Sequence, residues 1–206
     1  TGVNNVGGIA GNNNNGQLSN VINEGNVTGN DYVGGVIGRT SGFSSYFIEG
    51  ISGAVNTGHV KGNYYVGGLV GIFIRERMVD SYNTGIVEGV NYVGGAIGGS
   101  VNDNNYEIGN TSATNRIYSS GEVVGSIKDG LVGQPMGMTL NNSFYNSDMS
   151  NTIHQGIGVP LTNDEMAEPF YFNNFDFAGK WRIIPGESYP YLVWHEAFYI
   201  PLKINL

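Results

Sequence analysis

The sequence predicts an all-β protein, a parallel β-solenoid with about three short strands per 27-residue turn. Three observations lead to this prediction: an abundance of Gly and Asn, a glycine motif that recurs along the chain, and an alternation of constant and variable positions between its copies. The 206 residues include 34 Gly and 27 Asn. Gly costs roughly 1 kcal/mol relative to Ala inside a helix, and Asn competes with the helical backbone for hydrogen bonds, so long helices are disfavoured.

The recurring motif is V-G-G-x-x-G. It occurs at 6–11, 33–38, 66–71 and 93–98, with a degenerate fifth copy at 130–133. A second motif, G-x-V-x-G, follows the first four copies at 25–29, 58–62, 85–89 and 121–125. The shortest unit has 27 residues, and two units carry insertions of 6 and 9 residues between the motifs. All the length variation is therefore expected in loops on one edge of the fold.

Aligning the copies predicts a half-buried strand at the second motif. Its constant position is occupied by Val27, Val60, Val87 and Val123. The positions on either side vary freely, as in Asn26, His59, Ile86 and Glu122, so they are expected to face water. This alternation has the period of two residues that is typical of a strand with one buried face. It also predicts that Lys61 and Glu88 are neighbours on adjacent strands.

Two further columns of residues emerge from the same alignment. One contains Asn23, Asn56, Asn83, Ser119 and Asn146, and the other contains Tyr32, Tyr65 and Tyr92. Stacking like residues at a fixed interval is typical of a parallel solenoid, in which side-chain amides can hydrogen-bond from one turn to the next. The Asn column is expected at a corner, pointing inward, with Ser119 as its weakest member. A β-propeller is the alternative, but its blades need about 40 residues.

The overall charge and the absence of cysteine exclude several classes of function. A net charge of −8 disfavours nucleic acid and anionic membranes as partners, because both require a basic surface. No apolar stretch approaches the roughly 18 residues of a membrane helix, so membrane insertion is not expected. Without cysteine there can be no disulfide framework and no thiolate nucleophile.

The repeats resemble the GLUG-motif family, named for G-L-x-G. Residues 68–71 match this tetrad, and Gly8, Gly35 and Gly95 begin variants of it. The surrounding NYVGG, SYNTG and G-x-V-x-G words extend the resemblance over about 1–150, and the ending at 156–194 is similar to segments that close such arrays. The resemblance implies an exported surface protein of bacteria or archaea, of the adhesin type or the non-catalytic part of an IgA-cleaving zinc metallopeptidase. It implies a location and an architecture, and no reaction.

Two regions are predicted, a repeat array at 1–150 and a C-terminal cap with a terminal strand at 151–206. Residues 1–6 align without gaps on 28–33, so the chain is expected to begin inside a repeat of a longer protein, with an open end that could stack on another copy. Residues 170–199 hold 11 of the 24 aromatic residues, which predicts an aromatic-rich cap. Thr162 and Glu165 have the spacing of a capping box, which predicts one short helix ending before Pro169.

The candidate catalytic and metal-binding motifs each have a simpler structural interpretation. His195 and Glu196 begin like the H-E-x-x-H zinc motif, but Tyr199 stands in place of the second His. The glycine motif recurs without a following helix, unlike a phosphate-binding loop. Acidic residues do not stack as they would in a polysaccharide lyase, so no enzyme is expected.

Calcium is the one candidate cofactor. Its oxygen ligands would come from Asp103, Asn105 and Glu107, and the alternative interpretation of this segment is a solvated loop.

Binding residues are expected in the insertions, because variation at one edge of a solenoid usually accompanies binding. The candidates combine aromatic and Arg side chains, which often anchor interfaces. They are Phe43, Tyr46, Phe47, Arg75, Arg77 and Tyr106. The alternative is that these residues only cover the edge of the solenoid.

The function expected from these observations is a non-catalytic extracellular or cell-surface module of the adhesin type. Its partner would be a protein or glycan on another surface, or further domains of the same chain. A spacer or substrate-binding region of a larger exported hydrolase or metallopeptidase is one alternative. A self-assembling filament or surface-layer subunit is the other.

Overall fold

Four parallel β-sheets make up most of the molecule, which confirms the all-β prediction. The computed structural model describes residues 1–42, 50–101, 112–152, 157–196, 201 and 203. Each of the first four repeats contributes one strand to each sheet, and strands of consecutive repeats are hydrogen-bonded neighbours. The order of strands in every sheet therefore follows the order of repeats in the chain.

The sheets are numbered in the order in which the chain visits them. Sheet 1 contains Asn4–Gly7, Asp31–Gly34, Tyr64–Gly67, Asn91–Gly94 and Ile127–Asp129. Sheet 2 contains Ala10–Asn14, Ile37–Ser41, Val70–Ile74, Ile97–Ser100 and Val132–Pro135. Sheet 3 contains Leu18–Asn23, Ile51–Asn56, Arg77–Asn83, Ser112–Ser119, Met138–Asn141, Phe144–Asn146 and Val159–Leu161. Sheet 4 contains Val27–Thr28, Val60–Lys61, Val87–Glu88 and Val123–Val124.

The prediction of about three strands per repeat is wrong, because the first four repeats contribute four each. The additional strand is the two-residue segment inside G-x-V-x-G, as at Val60–Lys61. Its valine column is buried as predicted, with exposures of 4% or less at Val27, Val60, Val87 and Val123. These valines pack against the valines of sheet 1 in a core of their own. The Lys61–Glu88 register is confirmed.

The glycine motif is explained by close approach of the backbone. A Cβ atom on Gly71 would lie 2.5 Å from the carbonyl oxygen of Gly38 and from the carbonyl carbon of Tyr32. A Cβ on Gly35 would lie 2.4 Å from the side-chain carbon Cγ of Asn56. Real Cβ atoms do not tolerate such distances, so the motif allows sheets 1 and 2 and the Asn column to pack tightly.

The predicted Asn column is confirmed in the first four repeats. Asn23 donates to Asn56 (2.7 Å), Asn56 donates to Asn83 (2.8 Å), and all three are 8% exposed or less. Each amide also donates to the carbonyl oxygen two residues ahead. The contact from Asn83 to Ser119 is longer, at 3.4 Å, because the serine side chain is shorter.

The assignment of Asn146 to this column is wrong by one residue. Ser119 pairs with Tyr145, so a tyrosine continues the column. Asn146 instead caps the helix Ser147–Ser150 by accepting from the backbone N–H groups of Asp148 and Met149, and its amide donates to Asn163. The amide ladder therefore ends at Ser119.

The fifth repeat also lacks one residue in sheet 1. Asn91 pairs with Ile127 and Val93 pairs with Lys128, so Tyr92 has no counterpart. The expectation that all length variation lies between the two motifs is therefore wrong at this position. Tyr32, Tyr65 and Tyr92 all have left-handed backbone angles, and their rings stack with centroids 5.5 and 4.8 Å apart.

The C-terminal segment covers the outer face of sheet 3 and therefore protects a side of the array. The outward column of sheet 3 contains Ile22, Val55, Tyr82, Tyr118 and Phe144. This column packs against Phe172, Phe175, Trp181, Tyr189, Tyr191 and Leu192. The aromatic residues predicted to form a cap thus form a second core along the flank.

Helices are short in the described part of the chain. The predicted helix is confirmed as Asn163–Met166, with Thr162 and Glu165 forming the expected capping box. Pro169 begins the 3₁₀ helix Pro169–Tyr171, and a second 3₁₀ helix spans Val193–His195. Trp181–Arg182 and Tyr191–Leu192 form an antiparallel pair. None of the helices in the described ranges is long and apolar enough to span a bilayer.

Candidate functional site

In each of the first four repeats the segment of variable length connects a strand of sheet 2 to a strand of sheet 3, so the described ends of these segments lie on the same edge, as predicted. In repeat 2 this connection runs from Ser41 to Ile51, and in repeat 4 from Ser100 to Ser112. The candidate residues Phe43, Tyr46, Phe47 and Tyr106 lie outside the described residues, as do the calcium candidates Asp103, Asn105 and Glu107. Within the described ranges, no group of three or more acidic or His side chains is arranged to hold a metal.

The remaining candidates, Arg75 and Arg77, flank a buried acid at the short corner of repeat 3. Arg77 is exposed, whereas Arg75 is only 8% exposed, so Arg75 does not offer the accessible anchor that was expected. Between them, Glu76 accepts hydrogen bonds from Thr40 (3.3 Å) and from the Arg77 N–H group (3.0 Å). Burial raises the pKa of Glu76 despite these bonds. This corner is consequently a packed structural element with Arg77 at its surface.

A column of left-handed residues crosses the outer face of sheet 3, three positions before the Asn column. It contains Asn20, Gly53, Asp80, Arg116 and Asn142, with φ between 45° and 67°. Asn and Gly tolerate this conformation, whereas Asp and Arg adopt it at a cost. Gly53 is the one member without a side chain, so the column has a gap between Asn20 and Asp80.

This gap is the floor of a cleft of about 330 Å³ between sheet 3 and the C-terminal segment. Sheet 3 contributes Asn20, Ser52, Gly53 and Asp80 from three consecutive repeats. The C-terminal segment contributes Gly179, Lys180, Leu192, Val193 and Trp194. Chain segments distant in sequence thus form one concave surface with apolar and polar groups, as small-molecule sites commonly do.

Asp80 is the charged centre of the cleft wall. It is 2% exposed and accepts two hydrogen bonds from Arg116, at 2.5 and 2.9 Å. Lys180 and the indole N–H group of Trp181 also donate to it, at 2.9 and 3.1 Å. Burial alone would raise its pKa, but the hydrogen bonds from Arg116, Lys180 and Trp181 outweigh burial and hold the pKa of Asp80 below its usual range.

The antiparallel strands Trp181–Arg182 and Tyr191–Leu192 position the residues that the C-terminal segment contributes to the cleft. Trp181 pairs with Leu192, and the Val193 N–H group donates to the Lys180 carbonyl oxygen at 2.9 Å. The segments that carry Lys180 and Trp194 are therefore held next to each other at the cleft. A Cβ on Gly53 would lie 3.2 Å from the indole nitrogen of Trp194 and 2.6 Å from the side-chain oxygen of Asn20. The indole nitrogen of Trp194 is buried and has no hydrogen-bond partner in the described part of the chain.

His195 follows Trp194 and contributes to packing. It is fully buried, and its Nδ1 atom shares a hydrogen bond of 2.5 Å with the Tyr82 hydroxyl group. Burial lowers the pKa of His195, although the nearby Glu24 opposes this effect. The imidazole of His195 is thus buried and bonded to a tyrosine, which fits a structural role for His195 and not the role of a zinc ligand.

Sequence reasoning missed this cleft, although part of its signal is visible in the alignment. Asn20, Gly53 and Asp80 stand three residues before Asn23, Asn56 and Asn83, and residues such as Asn and Gly at one position indicate a left-handed turn. Lys180 and Trp194 carry no such signal, because their place depends on how the C-terminal segment folds back. Comparison with protein-family models, curated proteins and solved structures finds no match for this chain.

Proposed function

We propose that the chain is a parallel β-solenoid module of an exported surface protein, of the GLUG-motif type, that binds a partner without chemical conversion. The observation that carries this proposal is the contrast between the constant, buried columns of the repeats and the variable loops on one edge. Stacked repeats provide a rigid scaffold, and loops or clefts on such scaffolds commonly provide binding. The proposed location at the cell surface follows from the resemblance of the repeats.

The electrostatics of the cleft support binding rather than catalysis. Among the described residues that line the cleft, Asp80 is the acidic one, and three side chains already donate to it. A general acid or base needs a proton that is free to move and a pKa near the working pH. Asp80 has a lowered pKa and a structural role, so it is poorly suited to either task.

The proposal is tested by measuring binding and conversion together. The purified chain is immobilised and incubated separately with a mixture of glycans and with a panel of extracellular matrix proteins. The bound ligands are then eluted and analysed by mass spectrometry. We expect saturable binding to at least one ligand, which is recovered intact and is not retained by chain unfolded in urea. Failure to bind any ligand, or recovery of a cleaved or modified ligand, contradicts the proposal.

A further inference from the structure

We propose that the cleft above Gly53 binds a single pyranose unit of a carbohydrate. This inference rests on the proposed function and names the ligand class and the site. It is carried by four features: the gap that Gly53 leaves in the left-handed column, the size of the cleft, its apolar wall, and the polar groups around it.

The size and the apolar wall fit one sugar ring. The cleft volume of about 330 Å³ lies at the small end of the range of roughly 300 to 1,000 Å³ that is usual for small-molecule sites. Trp194 and Val193 are partly exposed and provide apolar surface on the side of the C-terminal segment, whereas Leu192 is only 2% exposed. A pyranose ring has C–H groups that pack on such surface while its hydroxyl groups point elsewhere, so an amphipathic wall suits it.

The polar groups fit a ligand that both donates and accepts hydrogen bonds. Asn20 is exposed beside the gap and offers an amide with donors and an acceptor, and Ser52 offers a hydroxyl group. Lys180 is half-exposed and has three donors, of which one is directed to Asp80. Hydroxyl groups of a sugar are suited to such a mixed set.

Other ligand classes fit the cleft less well. A phosphate or nucleotide would need several cations, but Arg116 is already paired with Asp80, and Lys180 is the one cation among the described residues that line the cleft. A metal ion would need unpaired carboxylates, whereas Asp80 is neutralised by its partners. A protein loop is the competing class, and comparing the binding of glycosides with the binding of matrix proteins separates the two.

A side chain at Gly53 would obstruct the cleft, because its Cβ atom would lie 2.6 Å from the Asn20 side-chain oxygen and 3.2 Å from the Trp194 indole nitrogen, and both side chains would have to shift. Gly53→Asn introduces the residue that repeat 1 already carries at the same left-handed position, Asn20. Gly186→Asn is the matched control, because Gly186 also has a left-handed φ of 75° and a Cβ there would meet nothing within 4 Å. Asn20→Gly is a second variant, which removes an amide from the cleft and keeps a residue that tolerates this conformation.

The experiment follows the two indole N–H signals of ¹⁵N-labelled protein during titration with methyl glycosides. Neutral hexosides, N-acetylhexosaminides and hexuronides are tested separately. The signal of Trp194 is identified by its loss in Trp194→Phe. We expect a saturable shift of this signal in the natural chain and in Gly186→Asn, and binding about tenfold weaker or worse in Gly53→Asn and in Asn20→Gly.

The outcomes separate the inference from the proposed function. If folded Gly53→Asn and Asn20→Gly bind glycosides as tightly as the natural chain, the cleft is not the site, although the module still binds. If the natural chain binds matrix proteins and no saccharide, the carbohydrate inference is overturned and the proposed function stands. If the natural chain binds neither class, both are overturned.

Discussion

Two neighbouring columns of sheet 3 differ in how much their residues vary from one repeat to the next. The inward column holds Asn23, Asn56, Asn83 and Ser119, and it is nearly uniform, buried and hydrogen-bonded from repeat to repeat. The outward left-handed column, three residues earlier, holds Asn20, Gly53, Asp80, Arg116 and Asn142, and no two consecutive members are alike. The backbone conformation repeats within each column, left-handed in the outward one and not in the inward one, so the variation within the outward column lies in its side chains.

Positions that keep the same residue in every repeat and positions that vary therefore have separate structural roles in this chain. In the uniform column each side chain bonds the equivalent one in the next repeat, so every repeat adds a similar increment of stability. In the varied column, residues differ in how they meet the C-terminal segment: Asp80 accepts hydrogen bonds from Lys180 and Trp181, whereas Gly53 has no side chain and lines the cleft below Trp194.

The largest expected effect comes from Asp80→Asn in the varied column. This change removes the charge that neutralises Arg116 and Lys180, and Arg116 is only 19% exposed. Breaking one side of a buried ion pair costs roughly 3 to 5 kcal/mol, and the exposure of Lys180 reduces this, so we expect a loss of about 2 to 3 kcal/mol in urea unfolding. Glu122→Gln, at an exposed position, is the control. Equal urea midpoints for the two variants would contradict the role assigned to Asp80.

The same ion pairs predict a pH dependence. Because the folded-state pKa of Asp80 is below its ordinary value of 3.8, the unfolded chain binds a proton more readily between these two values. The contribution of Asp80 is therefore fully present above pH 3.8 and is lost as the pH falls through this range. Urea midpoints measured as a function of pH should fall more steeply on the acid side for the natural chain than for Asp80→Asn. Parallel curves would contradict the lowered pKa.

The next effect is expected from Asn83→Leu in the uniform column. The substitution removes the acceptor for Asn56 and the donor to Ser119, and an unsatisfied buried polar group costs about 1 to 3 kcal/mol. Asn12→Leu, at an exposed position of sheet 2, should cost little. The measurement is the pair of urea midpoints, with equal slopes as the check that both variants unfold in the same way. A destabilisation by Asn83→Leu no larger than that by Asn12→Leu would show that the ladder contributes nothing.

A smaller effect of opposite sign is expected from Ser119→Asn, which restores the uniform residue. The longer side chain can replace the 3.4 Å contact with Asn83 by a shorter one. Its amide can donate to Gly121, at the same offset as the bond from Asn83 to Gly85. One or two added hydrogen bonds contribute about 0.5 to 1.5 kcal/mol, so the urea midpoint should rise. A fall would mean that Tyr145, the next member of this column, leaves no room for the amide.

The smallest effect is expected from Lys61→Glu on the outer face of sheet 4. Lys61 and Glu88 are 2.6 Å apart but 54% and 36% exposed. Exposed pairs contribute roughly 0 to 1 kcal/mol, so the free energy of unfolding should change by less than about 1 kcal/mol. The effect should diminish further in high salt, where exposed charges are screened. A loss of several kcal/mol would mean that this face is buried.

The sequence predicted the repeated part of the fold better than the candidate site. The valine and Asn columns and the Lys61–Glu88 pair follow from period and alignment alone, because equivalent residues of stacked strands must meet. The error at Asn146 arose where the fifth repeat degenerates and a one-residue shift leaves no obvious mark. The cleft was not predictable, because Lys180 and Trp194 reach sheet 3 through the tertiary packing of the C-terminal segment, which has no periodicity.

Exchange of side-chain amide protons with water tests the contrast between the two columns most directly, in the natural chain and in a single ¹⁵N spectrum. The amides of Asn56 and Asn83 are fully buried and bonded on both sides, whereas Asn20 in the varied column is exposed. We predict that the protons of Asn56 and Asn83 exchange at least about a hundredfold more slowly than those of Asn20, as expected for groups that open only with the surrounding structure. Equal exchange rates for the three residues would contradict the buried ladder, and with it the contrast between the uniform and the varied column.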